Sequence, residues 1–307
     1  MSGHITVLPS EAIDALKVTE DSVIVDATAN GGGHSRKIRE QLGNGGLLVS
    51  LDVDQVACTT LREIAQDTGA PMKVVCANFR AIHASLIELG ISGNVDGILA
   101  DLGWSTNQFE KGGRGFSFMH DEPLLMTYGD ASSYLFTACD IVNGWKEVDI
   151  ANVLFAYGDE RKSRAIAKAI VSARKEEEIS TSGQLARVIL SVLPQRGRIH
   201  PATKTFQALR IAVNDEYRAL TDFLHGAMRS LKVGGRLAVI TFHSGEDRIV
   251  KDIFRTWSKD GIGTLVTKKP QIASRAEVLS NPRARSAKLR IIEKQENETH
   301  THNSTAQ

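Results

Sequence analysis

Cysteine is scarce in this chain, and long apolar runs are missing. No two of its three cysteines have the C-x-x-C spacing of a zinc knuckle or a redox motif, so we expect reduced thiols and no metal. The first residues lack the basic segment and apolar core of a signal peptide, and no run is long enough to span a membrane. These absences predict a cytoplasmic protein without a membrane partner. The cysteines are Cys58, Cys76 and Cys139.

Net charge is also nearly absent, because the formal total over 307 residues is only +1 at pH 7. Basic side chains nevertheless concentrate in two segments. Residues 161–210 hold eleven Lys or Arg against three Glu, and residues 268–290 hold seven against one Glu. Two such clusters favour a phosphate-binding surface, and we expect Arg196 and Arg198 to contact RNA.

A glycine-rich turn near the N-terminus organises the chain. The β-branched run at 23–25 predicts a buried strand ending at Asp26, and Gly31, Gly32 and Gly33 precede a predicted helix. The turn lacks the G-x-G-x-x-G spacing of a dinucleotide site, which disfavours NAD and favours an adenosyl ligand without a pyrophosphate. Asp52 ends the next predicted strand, about 20 residues further on, where a ribose-binding acid belongs.

The order of predicted elements indicates an α/β fold with an insertion. Strands and helices alternate up to Asp101, which argues for a parallel sheet. Helical patterns alone follow from residue 132 to 193, and one long helical pattern covers 206–231. Strands are then predicted at 236–242, 264–267 and 287–293, the last two as a hairpin. The polar tail at 295–307 is predicted to be disordered.

Several long motifs resemble one known family. They are DATANGGGHS at 26–35, DGILADLGWSTNQ at 96–108, RGFSF at 114–118, HPATKTFQALRIAVNDE at 200–216, FHSGEDRIVK at 242–251 and NPRARSAKLR at 281–290. Together they resemble the RsmH (MraW) family, whose members methylate N4 of a cytidine in small-subunit ribosomal RNA with S-adenosylmethionine. The resemblance covers nearly all of the chain except the tail.

The resemblance implies the fold, the partners and the domain limits. The expected fold is a class I methyltransferase, Rossmann-like with a mostly parallel seven-stranded sheet, interrupted by an all-helical domain. The methyltransferase domain would comprise 1–108 and 206–294, and the helical insert, which would recognise RNA, 109–205. The expected partner is small-subunit ribosomal RNA or a 30S-type particle, with the P-site cytidine as target, and a homodimer stays open.

Position in the predicted fold suggests the catalytic and stacking candidates, and the resemblance implies the cofactor contacts. Asp101, at the end of the fourth strand, is a candidate for accepting a hydrogen bond from the target amine, and His243, at the end of the fifth, is a second catalytic candidate. Phe116 and Phe118 are candidates for stacking on a base. The implied cofactor contacts are Gly32, Gly33, His34, Asp52, Phe79, Asp101 and Gln108.

One loop departs from the family pattern. Leu125 and Thr127 stand where the family has an acidic and a basic residue. This departure keeps a second hypothesis open, a cofactor-binding ribosome assembly factor with impaired catalysis. A small-molecule methyltransferase is disfavoured because the helical insert and the basic segments would then have no purpose. A hydride-transferring enzyme is disfavoured by the glycine spacing.

Overall fold

The computed structural model describes residues 6–102, 113–195, 197 and 200–296. Gln108, Arg196 and Arg198, and the predicted tail from residue 297 on, lie outside these ranges. The chain divides into two compact units, which we name the core unit, 1–103 with 219–307, and the helical unit, 104–218. Within the described ranges, no helix is long and apolar enough to cross a membrane.

The core unit is built on one mixed sheet. Its strands are β1 Val23–Asp26, β2 Leu47–Asp52, β3 Met72–Cys76, β4 Val95–Asp101, β5 Leu231–Thr241, β6 Gly263–Leu265, β7 Gln271–Ile272 and β8 Lys288–Lys294. The strand order is β3-β2-β1-β4-β5-β8-β6, with β1 to β5 parallel and β8 antiparallel to β5. β6 and β7 pair with different halves of β8, so the eight strands fill the seven positions that were predicted.

Helices cover both faces of the sheet, which is why its central strands are mostly apolar. The helices that enter this unit are α1 Pro9–Leu16, α2 Gly33–Gln41, α3 Gln55–Gln66, α4 Ile82–Glu88, α10 Glu216–Ser230, α11 Ser244–Lys259 and α12 Arg275–Ser280. Val25 and Val49 belong to a core shared with α4, α10 and α11, while their neighbours Ile24 and Leu48 pack with α1 and α2.

The helical unit has an apolar core of its own. Two of its helices begin with a capping box, formed by Thr137 with Asp140 and by Thr181 with Gln184. The only β pairing among its described residues is an isolated bridge between Pro123 and Thr181. Its helices are α5 Ala138–Gly144, α6 Glu147–Gly158, α7 Ser163–Ala173, α8 Ser182–Val192 and α9 Thr203–Asn214.

The helical unit is wider than the segment 109–205 predicted from sequence. Phe206 and Leu209 of α9, assigned in the sequence analysis to the methyltransferase domain, belong to the apolar core of the helical unit. The single long helix predicted over 206–231 is also wrong. Asp215 adopts a left-handed conformation (φ 49°) between α9 and α10, which asparagine and aspartate tolerate better than most residues.

The expectation of three reduced thiols is wrong for two of them. Cys58 in α3 and Cys76 at the end of β3 form a disulfide, with their Cα atoms 6.0 Å apart. The sequence gives no signal of this pairing, because eighteen residues separate the two cysteines and only the packing of α3 beside β3 brings them together. Cys139, in the helical unit, is free and half-buried.

Candidate active site

Three acids end neighbouring strands of the core unit. Asp26, Asp52 and Asp101 are the last residues of β1, β2 and β4. The register places Asp26 opposite Ser50 on one side and Leu99 on the other. Since β1 lies between β2 and β4, the acids meet at the carboxyl edge of the sheet, where open α/β sheets bind their ligands. The sequence analysis predicted that each of these acids ends a strand.

The glycine loop brings backbone, rather than side chains, to this edge. Asn30 and Gly32 both have left-handed backbones, with φ of 48° and 79°. A Cβ at Gly32 would lie 2.4 Å from Cδ1 of Ile64, and one at Gly33 would lie 2.0 Å from Oγ1 of Thr6. Gly32 therefore requires glycine, whereas a side chain at Gly33 would displace Thr6. Because α2 begins at Gly33, its first backbone amides belong to this loop, and amides at a helix N-terminus suit an anionic group.

Asp52 is held rigidly in place. Its Oδ2 accepts a hydrogen bond from the Asn30 amide at 2.7 Å, and its Oδ1 accepts one from the Asp54 amide at 2.8 Å. Burial raises the pKa of this carboxyl, and the hydrogen bonds from the Asp54 and Asn30 amides offset part of the rise. Each carboxylate oxygen can accept a further hydrogen bond, so the group suits a pair of ribose hydroxyls.

His34 connects the glycine loop to the end of β4. Its Nε2 lies 3.0 Å from the Val7 carbonyl oxygen, and because that oxygen can only accept, Nε2 carries the hydrogen. Its Nδ1 faces Oδ2 of Asp101 at 3.5 Å. Burial lowers the pKa of His34, which favours the neutral ring. Neutral His34 therefore presents a lone pair to Asp101, an arrangement that can share a proton.

Asp26 lies beneath the loop and is fully buried. Its Oδ2 accepts a hydrogen bond from Oγ of Ser35 at 2.7 Å, and Ser35 Oγ also lies 2.9 Å from Oγ of Ser50. Its Oδ1 has no hydrogen-bond partner among the described residues. Burial raises the pKa of Asp26, and the nearby His34 works against that rise.

Two contacts at this edge escaped the sequence analysis. Oγ1 of Thr28 accepts a hydrogen bond from the Asp101 amide at 2.7 Å, and the serine pair joins Asp26 to β2. Thr28 and Ser35 lie in the motif that carries the family resemblance, so the signal was present. Which groups they would meet depends on the register of β1 with β2 and β4.

Two predicted cofactor contacts remain, Phe79 and Gln108. Phe79 follows β3 in a short 3-10 turn, half-buried, with its ring centroid 5.1 Å from that of Phe223. One side of the Phe79 ring therefore packs against the protein core. Gln108 lies outside the described residues, so its role stays a prediction.

His243 caps a helix. It is the N-cap of α11, with its Nδ1 accepting a hydrogen bond from the Glu246 amide at 3.4 Å and its Nε2 3.1 Å from Oε1 of Glu246. Both ring nitrogens therefore face Glu246 in the same first turn. The catalytic role suggested for His243 stays a prediction.

The expectation that Phe116 stacks on a base is wrong. Its ring is 7% exposed and stacks on Tyr128 in the core of the helical unit, which leaves no face for a nucleobase. Phe118 is half-buried, and its ring stacks on that of His200 at 4.3 Å.

Several side chains of the two basic segments are paired within their own unit. Arg210 forms an ion pair with Glu216 at 2.9 Å, and both Lys288 and Arg290 contact Asp247, at 2.9 and 2.7 Å. These three side chains stabilise the fold. On α7 and just before it, by contrast, Arg161, Lys162, Arg164 and Lys168 are exposed.

Comparison with known proteins identifies the family of this chain. The MraW methylase family matches residues 1–295. The chain belongs to that family. Two proteins named ribosomal RNA small subunit methyltransferase H are similar over nearly their whole length. The one from Citrifermentans bemidjiense is 43% identical, over 95% of this chain and 98% of its own, and the one from a Paenibacillus strain is 41% identical, over 96% and 100%.

Membership makes this MraW methylase a methyltransferase, with S-adenosylmethionine as the methyl donor. A solved rRNA methylase from Streptococcus thermophilus is more distant, with 10% identity and a TM-score of 0.44, covering 96% of this chain and 100% of its own. A likeness of that size carries no further conclusion.

Proposed function

We propose that this methylase transfers a methyl group to N4 of a cytidine in small-subunit ribosomal RNA, in the cytoplasm, with the P-site cytidine as target. The names of its relatives support the class of substrate, since they match 95% of the chain or more. The observation that carries the chemistry is the buried pair of Asp101 and His34 at the end of β4, beside the glycine loop.

The residues at this edge fit an adenosyl cofactor. Gly32 lets the loop pack closely on Ile64 and Leu61 at the end of β1, and Asp52 keeps acceptor capacity on both oxygens. Oδ1 of Asp26, buried and without a hydrogen-bond partner among the described residues, adds an acceptor that a cationic group would satisfy. When bound, the cofactor supplies a methyl group on a positively charged sulfur. Asp52 would hold the ribose, and the loop backbone would hold the methionine part.

Transfer to cytosine needs orientation more than a strong base. The N4 lone pair is delocalised into the ring, so the base has to leave its stack and be aimed at the methyl carbon. Asp101 accepts a hydrogen bond from the N4 amino group and fixes that aim. When the N–C bond has formed, N4 carries one proton too many, and Asp101 accepts it. The lone pair of His34 Nδ1, 3.5 Å away, shares that proton.

The helical unit is the part we assign to RNA recognition. Its exposed Arg161, Arg164 and Lys168 lie on or next to α7, in the segment that is richest in basic side chains. Ammonium and guanidinium groups that are not paired inside the fold can neutralise phosphates and release counterions.

A second candidate function is a ribosome assembly factor that binds the cofactor but transfers no methyl. The observation that favours it is the departing loop. Thr127, which replaces a basic residue of the family pattern, is buried, and its Oγ1 donates a hydrogen bond to the Gly129 carbonyl at 2.9 Å. The neighbouring Met126 carbonyl accepts from Asn214 at 2.7 Å. These hydrogen bonds hold the loop within the helical unit. The loop lacks the acidic and basic side chains of the family pattern.

One experiment separates the two functions. The purified protein is incubated with methyl-labelled S-adenosylmethionine and 30S-type particles that lack the modification, and the RNA nucleosides are analysed by mass spectrometry. We expect N4-methylcytidine with the wild type and with Asp14→Asn, an exposed control on α1. Asp101→Asn should lose most of the product. Cofactor binding without N4-methylcytidine in the wild type would instead establish the assembly factor.

A further inference from the structure

The disulfide between Cys58 and Cys76 joins two elements at the edge that carries Asp52. Cys58 lies in the first turn of α3 and is fully buried, whereas Cys76, the last residue of β3, is exposed. The Cα separation of 6.0 Å is within the range that a disulfide bridges without backbone movement. Thiols and disulfides in solution can therefore approach this pair from the side of Cys76.

Both cysteines contact the backbone or the strand of the predicted ribose acid. Cys76 is the register partner of Asp52 in the sheet, and the next amide, Ala77, donates to the Asp52 carbonyl at 2.9 Å. Cys58 Sγ lies 3.4 Å from the same carbonyl oxygen. Phe79, a predicted cofactor contact, follows Cys76 by three residues. The disulfide therefore restrains the backbone around Asp52 and, through it, the position of the Asp52 carboxylate.

The helix that carries Cys58 also supports the glycine loop. Leu61 and Ile64, further along α3, form a small apolar cluster with Ala29, and they are the side chains that a Cβ at Gly32 would meet. A restraint on the first turn of α3 therefore acts on two parts of the same site, the acid of β2 and the loop after β1.

Hydrogen-bond acceptors lie close to both sulfurs. With the disulfide formed, Sγ of Cys58 is 3.4 Å from the Asp52 carbonyl oxygen, and Sγ of Cys76 is 2.9 Å from Oε1 of Gln55. If the bond is reduced, each new thiol therefore has an acceptor nearby. Disulfides inside cells are mostly transient and redox-sensing.

We propose that Cys58 and Cys76 are a reversible thiol–disulfide modification site that tunes cofactor affinity. The proposal rests on the proposed placement of the cofactor at Asp52. The oxidised state holds α3 and β3 in the geometry seen here, and a preorganised site binds more tightly because less order is lost on binding. Reduction releases this tether and weakens binding by about five-fold, the lower end of coupling between two sites.

A cellular disulfide such as glutathione disulfide is the oxidant. The thiolate of the exposed Cys76 attacks one sulfur of glutathione disulfide, forms a mixed disulfide and releases one glutathione thiolate. The sulfur of Cys58 then attacks Cys76, closes the intramolecular disulfide and releases the second glutathione. Two protein thiols are oxidised, one glutathione disulfide is reduced to two glutathione thiols, and the two thiol protons end on the released thiolates.

Thermodynamic linkage makes the proposal sharply testable. If the oxidised protein binds S-adenosylhomocysteine about five-fold more tightly, that ligand has to shift the exchange equilibrium with glutathione toward the disulfide by the same factor. For a two-electron couple this is about 20 mV in the reduction potential. A purely structural disulfide that does not sense the cofactor site would show neither effect.

The test uses the full chain equilibrated with mixtures of glutathione and glutathione disulfide, with and without S-adenosylhomocysteine. Intact mass, after trapping of free thiols, counts the thiols, and calorimetry gives ligand affinity for the fully oxidised and fully reduced protein. Cys76→Ser, at an exposed position, should make the affinity independent of glutathione. Cys139→Ser, in the helical unit, is the matched control and should behave like the wild type.

Two results would overturn the proposal. One is that no disulfide forms at any ratio of glutathione to its disulfide, and the other is equal affinity of the oxidised and reduced proteins for S-adenosylhomocysteine. The second result leaves the proposed function intact, because it still requires binding. Absence of binding in both states would contradict the proposed cofactor site along with the redox coupling.

Discussion

At the scale of single residues, the conformation of the glycine loop depends on the absence of a side chain at Gly32. Gly32→Ala forces a side chain into a left-handed backbone, which costs about 1–2 kcal/mol, and places its Cβ against Ile64. Gly90→Ala is a matched control, because Gly90 has a similar φ of 73° but open space around it. We expect Gly32→Ala to lose about 1–3 kcal/mol more unfolding free energy than the control.

Cofactor affinity should separate the two alanine variants further. Gly90→Ala should bind S-adenosylhomocysteine like the wild type, while Gly32→Ala should bind weakly even when it is folded. Calorimetry below the unfolding temperature of both variants measures this. Equal affinities would show that the ligand does not approach the loop at Gly32.

His34 makes stability depend on pH in a direction that its burial determines. Because burial lowers its folded-state pKa below 6.5, the unfolded chain binds a proton before the folded chain does. The free energy of unfolding should therefore fall as the pH drops below about 6.5, by at most about 1.4 kcal/mol per pH unit. Asp26, whose pKa is raised, contributes a slope of the opposite sign between 3.8 and its folded-state value.

Comparison with His34→Gln isolates the contribution of the histidine. Urea unfolding at about pH 7.5 and about pH 5.5 should show a smaller loss of stability in the variant than in the wild type. The same slope in both proteins would mean that His34 keeps an ordinary pKa in the fold.

At the scale of secondary-structure elements, the sequence predicted the sheet well because each strand has a local pattern. The β-branched run at 23–25 and the acid after it place β1 and Asp26 without further information. The break at Asp215 was missed because the apolar pattern of 206–231 continues through it. The disulfide was missed because it depends on how α3 packs beside β3, which no local spacing reports.

The capping of α11 by His243 gives a prediction for this element. His243→Ala should lower the free energy of unfolding by about 1 kcal/mol, the usual value of an N-cap, whereas His243→Asn should keep it because asparagine caps well. If capping is the whole role, methyl transfer should also survive in His243→Asn. Chemical denaturation and methyl incorporation, measured on the same two variants, check both statements. A stable but inactive His243→Asn would support the catalytic role predicted for the histidine.

At the scale of the whole molecule, the chain forms two units with separate apolar cores. We propose that the core unit binds the cofactor and that the helical unit binds RNA. The acids and the glycine loop all lie in the core unit, and the exposed basic residues near α7 lie in the helical unit. The sequence predicted an insertion but drew its limits too narrowly, because which unit a helix joins depends on the core that its apolar face enters.

This division predicts that RNA binding and cofactor binding can be weakened independently. Arg164 and Lys168 are both exposed and lie one turn apart on α7, so replacing both with alanine removes two neighbouring charges without opening the core. If both contact phosphates, the affinity for small-subunit RNA should fall, and the slope of log affinity against log salt should flatten by about one unit per lost contact. Affinity for S-adenosylhomocysteine should not change.

Arg62→Ala, an exposed charge on α3 of the core unit, is the control for loss of charge alone. RNA affinity measured at several salt concentrations decides the matter: an unchanged slope in the double variant would remove α7 from the RNA-binding surface, and an equal loss in the control would reduce the effect to net charge.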